Sequence, residues 1–311
     1  MLTLKQALSD QKDIEQLCQQ KFSISREIYH PNNNYGFAYL LKEYAKYPQE
    51  EPIYATLPHG VYMFDRVIAK GELEQDLPAH LNFPPFTTAL WKKTAKNRKV
   101  IPFASPIHYA LKLFRPEVAE HERKGTLFLP THSTMAINIS LDKEQIIEEL
   151  KNLPEEFHPV TICVHWQDVQ KGLHLFFQSK GFNVVSAGHL NDDNYMFRWL
   201  HLTSQFKLVA HSGMGSAMFY SIAAGIPFYL TEEEASLEVS PNFQQFHKKI
   251  PIHSKSATKR IDNLKNMFGK PLAQITKDQK EIVNYCTSAD LLVPPQSLHQ
   301  QFKKLKTMTQ Q

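Results

Sequence analysis

The residues best suited to chemistry in this chain are histidines, and their placement matters more than their number. His59, His132, His165, His189 and His211 each stand where a short apolar run gives way to a polar or glycine-containing turn. An imidazole titrates near neutral pH and can accept a proton, release one, or donate an N–H. Directly behind His211 comes Ser212-Gly-Met-Gly-Ser216, a loop that leads into a helical period. A helix N-terminus carries free backbone N–H groups and a partial positive charge. Glycine lets the backbone approach a phosphate closely, and serine adds hydroxyl donors. Ser212, Gly213, Gly215 and Ser216 therefore suit a pyrophosphate; the competing reading is a tight turn needed for packing alone. The loop is not the GxGxxG dinucleotide fingerprint, because no third glycine follows Gly215 at the required spacing.

These residues need elements to hold them. From Gly125 onward short β-rich runs alternate with helical periods. Thr126–Leu129 (TLFL) predicts a strand ending at Pro130-Thr-His-Ser-Thr134. Pro159–Val164 predicts a strand ending at His165, Asn183–Ala187 one ending at Gly188-His189, and Lys207–Ala210 one ending at His211. Ile226–Leu230 is a last strand, followed by Thr231-Glu-Glu-Glu234. Helices are expected over 142–153, 173–179, 194–204 and 217–224, the first opened by Asp142 and Gln145 in capping-box spacing. Strands alternating with helices imply a parallel sheet covered on both faces, and ligands of such sheets bind beyond the carboxyl ends of the strands. His132, Ser133, Thr134, His165, His189 and the His211 loop all fall there. Further helices are expected over 258–268 and 277–286, the second behind a capping box at Thr276 and Gln279.

Earlier in the chain the signals are sparser. Pro52–Pro58 predicts a strand ending at His59-Gly60, Thr88–Lys99 a basic amphipathic helix, Val100–Ala104 a strand and Pro106–Phe114 a helix. The expected organisation is an N-terminal lobe over 1–120 and a C-terminal lobe over 121–311 that ends in added helices. The expected class is α/β, with two Rossmann-like lobes built on parallel sheets, the C-terminal lobe being the clearer.

Composition narrows the functions. The chain has 311 residues, 42% hydrophobic and 21% charged, with a formal charge of +4, an ordinary globular balance. The basic residues are not interleaved with aromatics as nucleic-acid stacking platforms require, so no nucleic-acid partner is expected. Cys18, Cys163 and Cys286 form no CxxC pair, which argues against a disulfide framework and a cysteine zinc site. The first twenty residues lack the apolar stretch of a signal peptide, and no apolar run approaches the roughly 18 residues of a membrane span. A cytoplasmic location is expected, with membrane contact limited to the periphery of an inner face. Lys92, Lys93, Lys96, Arg98 and Lys99, with Lys303, Lys304 and Lys306 near the end, suit a solvated face; contact with anionic headgroups is the alternative.

The segment from Gly188 to Glu234 resembles the donor-binding half of GT-B type glycosyltransferases and the related UDP-sugar 2-epimerases. In that pattern a strand leads to a Ser-Gly-rich loop and a helix, then a Gly-x-Pro opens a strand ending at acidic residues. Here these are Ser212–Ser216, Gly225-Ile-Pro227 and Glu232, Glu233 and Glu234. Residues 124–230 also resemble uncharacterised proteins of surface-polysaccharide gene clusters, through Gly125–Thr134, Pro159–His165, Gly181–His189 and Gly215–Leu230. The resemblance implies a GT-B fold and a nucleotide-sugar donor whose phosphates meet Ser212, Gly213, Gly215 and Ser216, with Glu232–Glu234 near the ribose or sugar. The 2-epimerases carry an acidic residue before the loop serine; this chain has His211, and their catalytic arginine and carboxylates are unmatched. That favours transfer, with a His211 cation stabilising the leaving phosphate.

The function implied is a glycosyltransferase of surface-polysaccharide assembly, using a glycan or lipid-linked acceptor. A transferase that inverts needs a base beside the acceptor, and His59 is the candidate, with Asp65 as understudy. His132, Ser133, Thr134, His165 and His189 are the further donor contacts. GT-B type enzymes usually need no metal, so neither metal nor cofactor is expected. The chain lacks DxD and HExxH motifs, and the adjacent Asp192-Asp193 is the metal alternative. The competing functions are a UDP-sugar epimerase or hydrolase and a catalytically silent nucleotide-binding scaffold.

Overall fold

The computed structural model describes residues 13–63, 70–95, 98–114, 118–133, 137–232, 236–239 and 255–309. Its strands are β1 (Ala55–Thr56), β2 (Ala79–Asn82), β3 (Lys99–Pro102), β4 (Thr126–Leu129), β5 (Ile137–Ser140), β6 (Val160–Cys163), β7 (Asn183–Val185), β8 (Leu208–His211), β9 (Phe228–Leu230) and β10 (Ser236–Val239). Two parallel sheets result, β1-β2-β3 and β7-β6-β4-β8-β9, while β5 and β10 pair antiparallel. The chain is thus α/β with two parallel sheets, as its strand–helix alternation implied.

The large sheet forms where it does because its strands are continuous apolar runs. Alternate residues along them join opposite cores. Leu127, Cys163, Val209, Phe228 and Leu230 belong to one buried cluster. Phe128, Val160, Ile162, Leu208, Ala210 and Tyr229 belong to the other. Each large apolar side chain among them stabilises the fold by about 1.5–3 kcal/mol when fully buried, so a slip by one residue would exchange two whole faces.

Helices cover both faces. The ones used below are α1 (Phe37–Ala45), α2 (Thr88–Thr94), α3 (Pro106–Leu113), α4 (Lys143–Lys151), α5 (Trp166–Gln170), α6 (Leu173–Ser179), α7 (Tyr195–Thr203), α8 (Ser216–Ala223), α9 (Lys255–Phe268), α10 (Lys277–Cys286) and α11 (Pro295–Thr307). Asp142 caps α4 by accepting the Gln145 N–H at 3.0 Å. The full capping box of Thr276 and Gln279 opens α10.

The basic helix expected over 88–99 is shorter than its pattern suggests. It stops at Thr94, and Lys99 already belongs to β3; Lys96 lies outside the described residues. Arg98 is not part of a solvated face. Its guanidinium is drawn inward by the Leu77 carbonyl at 3.0 Å, the Ala79 carbonyl at 2.6 Å and Thr56 Oγ1 at 2.5 Å. A fork of guanidinium donors against these oxygens outweighs the hydration that the local charge pattern favoured.

Residues 17–18 and 293–306 cross between the sheets. Cys18 Sγ reaches Ser186 Oγ at 3.2 Å, and the His189 N–H donates to the Leu17 carbonyl at 3.3 Å. In return α11 lies against the first lobe, where Tyr44 Oη donates to the Val293 carbonyl at 3.0 Å and Lys306 pairs with Glu51 at 2.7 Å. No helix among the described residues is long and apolar enough to cross a membrane.

Candidate active site

A cleft of about 330 Å³ opens between the carboxyl end of β1 and the carboxyl ends of β4, β6, β7 and β8. Each wall is a strand end. Beyond β1 stand His59, Gly60 and Val61; beyond β4, Pro130 and His132. Beyond β6 stand Val164 and His165; beyond β7, Ser186, Ala187 and Gly188. His211 closes β8, and Gly215 and Ser216 start α8. Tyr35, Tyr195, Met196 and Trp199 make the apolar depth, with the Tyr35 and Tyr195 rings 5.0 Å apart.

The histidines on this wall are neutral. Burial pushes His132 down to about 4 and His211 down to about 3, each helped by a neighbouring histidine. Burial lowers His59, and holds His165 well below the usual imidazole range. The expected His211 cation is therefore absent at neutral pH, because the low-dielectric wall disfavours charge. What His211 retains is a directed donor. Its Nδ1 accepts the Gly213 N–H at 2.8 Å, which leaves the proton on Nε2, beside Gly215. His132 and His165 stack with centroids 4.0 Å apart, and His165 Nδ1 is buried with no partner among the described residues.

The Ser-Gly loop divides its labour. Ser212 Oγ accepts the Thr131 N–H at 2.8 Å and lies 3.0 Å from Thr131 Oγ1, so it ties β8 to the end of β4 instead of facing the cleft. Gly213 makes room for the same threonine: a Cβ there would lie 2.6 Å from Thr131 Oγ1. Gly215 and Ser216 do line the cleft. Ser216 Oγ accepts the Val61 N–H at 3.0 Å, joining the start of α8 to the loop that carries His59. A Cβ at Gly60 would sit 2.6 Å from that same Oγ and displace it from the Val61 N–H.

Other expected contacts fall elsewhere. His189 is buried against Trp166, with centroids 4.2 Å apart, and is not a lining residue. Ser133 is buried and its N–H donates to Asp168 Oδ2 at 3.3 Å, beside a second, shallower hollow. Glu232 is exposed, and its N–H donates to Glu149 Oε1 at 2.9 Å, away from the cleft. Asp65, Thr134, Glu233 and Glu234 lie outside the described residues. Asp192 pairs with Arg198 at 3.1 Å, and Asp193 accepts from the Ser23 hydroxyl and, at 2.9 Å, from the Ile24 N–H. Both carboxylates are thus committed to the fold. Among the described residues no three histidine, cysteine, aspartate or glutamate side chains gather as a metal site.

Sequence reasoning missed the group behind His59. Tyr62 Oη lies 2.9 Å from His59 Nδ1 and donates to Glu72 Oε1 at 3.0 Å. Tyr62 follows His59 by three residues and was legible as a neighbour. Glu72 carries no motif; nothing in its flanks marks it as a fully buried carboxyl.

Among the described lining residues none is charged: no lysine, arginine, aspartate or glutamate reaches the cleft. A ligand anion here would meet N–H dipoles at the α8 N-terminus and the His211 Nε2–H.

No protein-family model matches the chain. No curated protein matches it either. Several solved structures are similar to it. The wall teichoic acid polymerase TagF matches with a TM-score of 0.41 at 10% identity, over 84% of this chain and 70% of that one. Staphylococcus aureus MnaA, solved with UDP, matches with a TM-score of 0.37 at 11% identity, over 83% and 73%. The UDP-GlcNAc 2-epimerase of Methanocaldococcus jannaschii, solved with UDP-GlcNAc and UDP, gives 0.35 at 12% identity, over 82% of each chain. A polymerase of wall teichoic acid and a UDP-GlcNAc 2-epimerase thus stand among the structures this chain is similar to, and its function must be read from its own cleft.

Proposed function

We propose that the cleft binds a nucleotide-sugar and that the chain is a glycosyltransferase acting in surface-glycan assembly, on a glycan or lipid-linked acceptor. The observation that carries this reading is the convergence of the β1 end of one sheet and four strand ends of the other on one cleft, with α8 starting at its wall. A phosphate placed against Gly215 and Ser216 would accept backbone N–H groups and the His211 Nε2–H as charge develops on the leaving group. His59, on the opposite lobe, is the base that takes the proton of the acceptor hydroxyl. The uncharged apolar depth, lined by Tyr35, Tyr195 and Trp199, suits the base or the sugar ring. No metal is needed in this scheme. The motifs shared with GT-B type proteins support it, and the lack of a charged residue on the described wall favours phosphate recognition through dipoles.

The test is thermal shift of the protein with UDP, GDP, CDP, CMP and dTDP, repeated on His211→Ala. Ligand at one hundred times its dissociation constant adds about 2.7 kcal/mol, a shift of a few degrees. One base should give that shift, and the variant should lose most of it. Stabilisation by none of the five refutes a nucleotide site. Conversion of a UDP-sugar without any acceptor would instead identify an epimerase or hydrolase.

A further inference from the structure

We infer that Glu72 and Tyr62 form a proton relay that sets which nitrogen of His59 carries the proton, so that His59 is a base only when Glu72 is ionised. The inference rests on the proposed role of His59 and adds two positioning residues to it.

The protons of the chain can be counted. Tyr62 has one hydroxyl proton, and its oxygen lies between His59 Nδ1 at 2.9 Å and Glu72 Oε1 at 3.0 Å. An ionised carboxylate only accepts. Tyr62 must then donate to Glu72, and its oxygen can only accept from His59. The imidazole therefore carries its proton on Nδ1 and turns the Nε2 lone pair to the cleft. When Nε2 takes the acceptor's proton, the imidazolium has the Glu72 carboxylate 3.9 Å from Nδ1 to balance it. A protonated Glu72 reverses the chain. Its O–H donates to Tyr62, Tyr62 donates to Nδ1, and the imidazole proton moves to Nε2. The group facing the cleft is then a donor and cannot remove a proton.

The surroundings allow both states. Glu72 is fully buried, and its Oε2 has no partner among the described residues. Arg98 and Tyr29 are the ionisable groups around it besides Tyr62, and the Arg98 guanidinium spends its hydrogen bonds on carbonyls and Thr56. Burial outweighs the pull of Tyr62 and Arg98 and pushes Glu72 up to about 8, so the two states interchange near neutrality. The ionisable neighbour across the cleft from His59 is His132, itself held neutral.

The test reads the tautomer directly and needs neither donor nor acceptor. Histidine ring nitrogens of the 15N-labelled protein are followed by long-range proton–nitrogen correlation from pH 6 to 10, with His59 assigned by its absence in His59→Gln. The proton of wild-type His59 should move from Nε2 to Nδ1 as pH rises, with a midpoint at the Glu72 value of about 8. Tyr62→Phe and Glu72→Gln, checked for native melting, should abolish that transition. A His59 tautomer that is constant across this range, or a transition that survives Tyr62→Phe, overturns the relay. Once a donor is found, Glu72→Gln should lower kcat, remove the rise in kcat between pH 7 and 9 and leave KM within about twofold. Failure of nucleotide binding would sink the transferase reading but leave the tautomer measurement valid.

Discussion

The tie between Gly60 and Ser216 offers the sharpest test of how the two lobes hold the cleft. Ser216 Oγ accepts the Val61 N–H at 3.0 Å, and Val61 is buried. Replacing Gly60 by alanine places a Cβ 2.6 Å from that oxygen but 3.9 Å from Ser216 Cβ. The cheapest relief is rotation of the Ser216 hydroxyl, which abandons the Val61 N–H. A buried donor left without a partner costs about 1–3 kcal/mol. Ser216→Ala removes the same acceptor and should cost the same. It also removes the oxygen that the methyl group of Gly60→Ala would strike. The two changes therefore should not add: Gly60→Ala with Ser216→Ala should lie within about 0.5 kcal/mol of either single variant, a coupling of about 1–3 kcal/mol. Urea unfolding of the four proteins measures this, and each single variant should also melt about 2–6 °C lower. Additive losses, or a neutral Ser216→Ala, would refute the tie. Nucleotide binding should weaken in both singles, because the start of α8 and the His59 loop then move independently.

Further predictions concern stability and its pH dependence. Lys42 and Glu27 form an ion pair at 2.5 Å with both side chains fully buried, and Lys42 also donates to Ser25 Oγ at 2.8 Å. Lys42→Met leaves the carboxylate buried without its charge partner and should cost about 3–5 kcal/mol in urea unfolding, whereas Lys42→Met with Glu27→Leu should recover only part of it, because the Arg26 and Gln49 carbonyls and the Ile53 N–H then lose their partners; a mild single variant would contradict the burial. His132 and His211 titrate at about 4 and about 3 in the folded protein, below the ordinary imidazole value of about 6.5 in the unfolded chain. Between those values the unfolded chain binds protons that the folded protein does not, so their contribution is complete above about pH 6.5 and is lost as pH falls toward 4. His132→Gln should flatten the fall of the urea midpoint between pH 6.5 and 4.5; an unchanged slope would show that His132 titrates normally.

Much of the C-terminal lobe was legible because its strands are continuous apolar runs bounded by turn residues. Thr126–Leu129, Leu173–Ser179 and Lys277–Cys286 fall where the pattern put them. The first lobe was less legible. Of the run 52–58 only Ala55 and Thr56 pair as a strand, since Pro52 and Pro58 bracket it and donate nothing to a ladder. Arg98 read as surface because the partners that draw it inward, Leu77, Ala79 and Thr56, lie 21, 19 and 42 residues away in sequence. Glu72 was invisible for a related reason: a carboxyl becomes unusual through what surrounds it, and its neighbours come from separate parts of the chain.

The site itself turns on a distinction that continuous apolar strands conceal. The carboxyl-end rule correctly gathered His132, His165 and His211 at one edge of the sheet. It did not say which side chains turn into the cleft, because both faces of the sheet are buried and the hydrophobic pattern has no period to mark them. The register supplies that information. His211 stands opposite Leu129 on β4 and Leu230 on β9, two residues beyond Val209, which joins the same core cluster as Leu127 and Phe228. Pleat parity therefore puts Leu129, Cys163 and His211 toward the first lobe, and all three line the cleft. Ser212 is one step out of phase with His211 and bonds back to Thr131. Two adjacent residues of one motif thus separate into a cleft-facing donor and a structural tie, and the pleat of β8 is the cause.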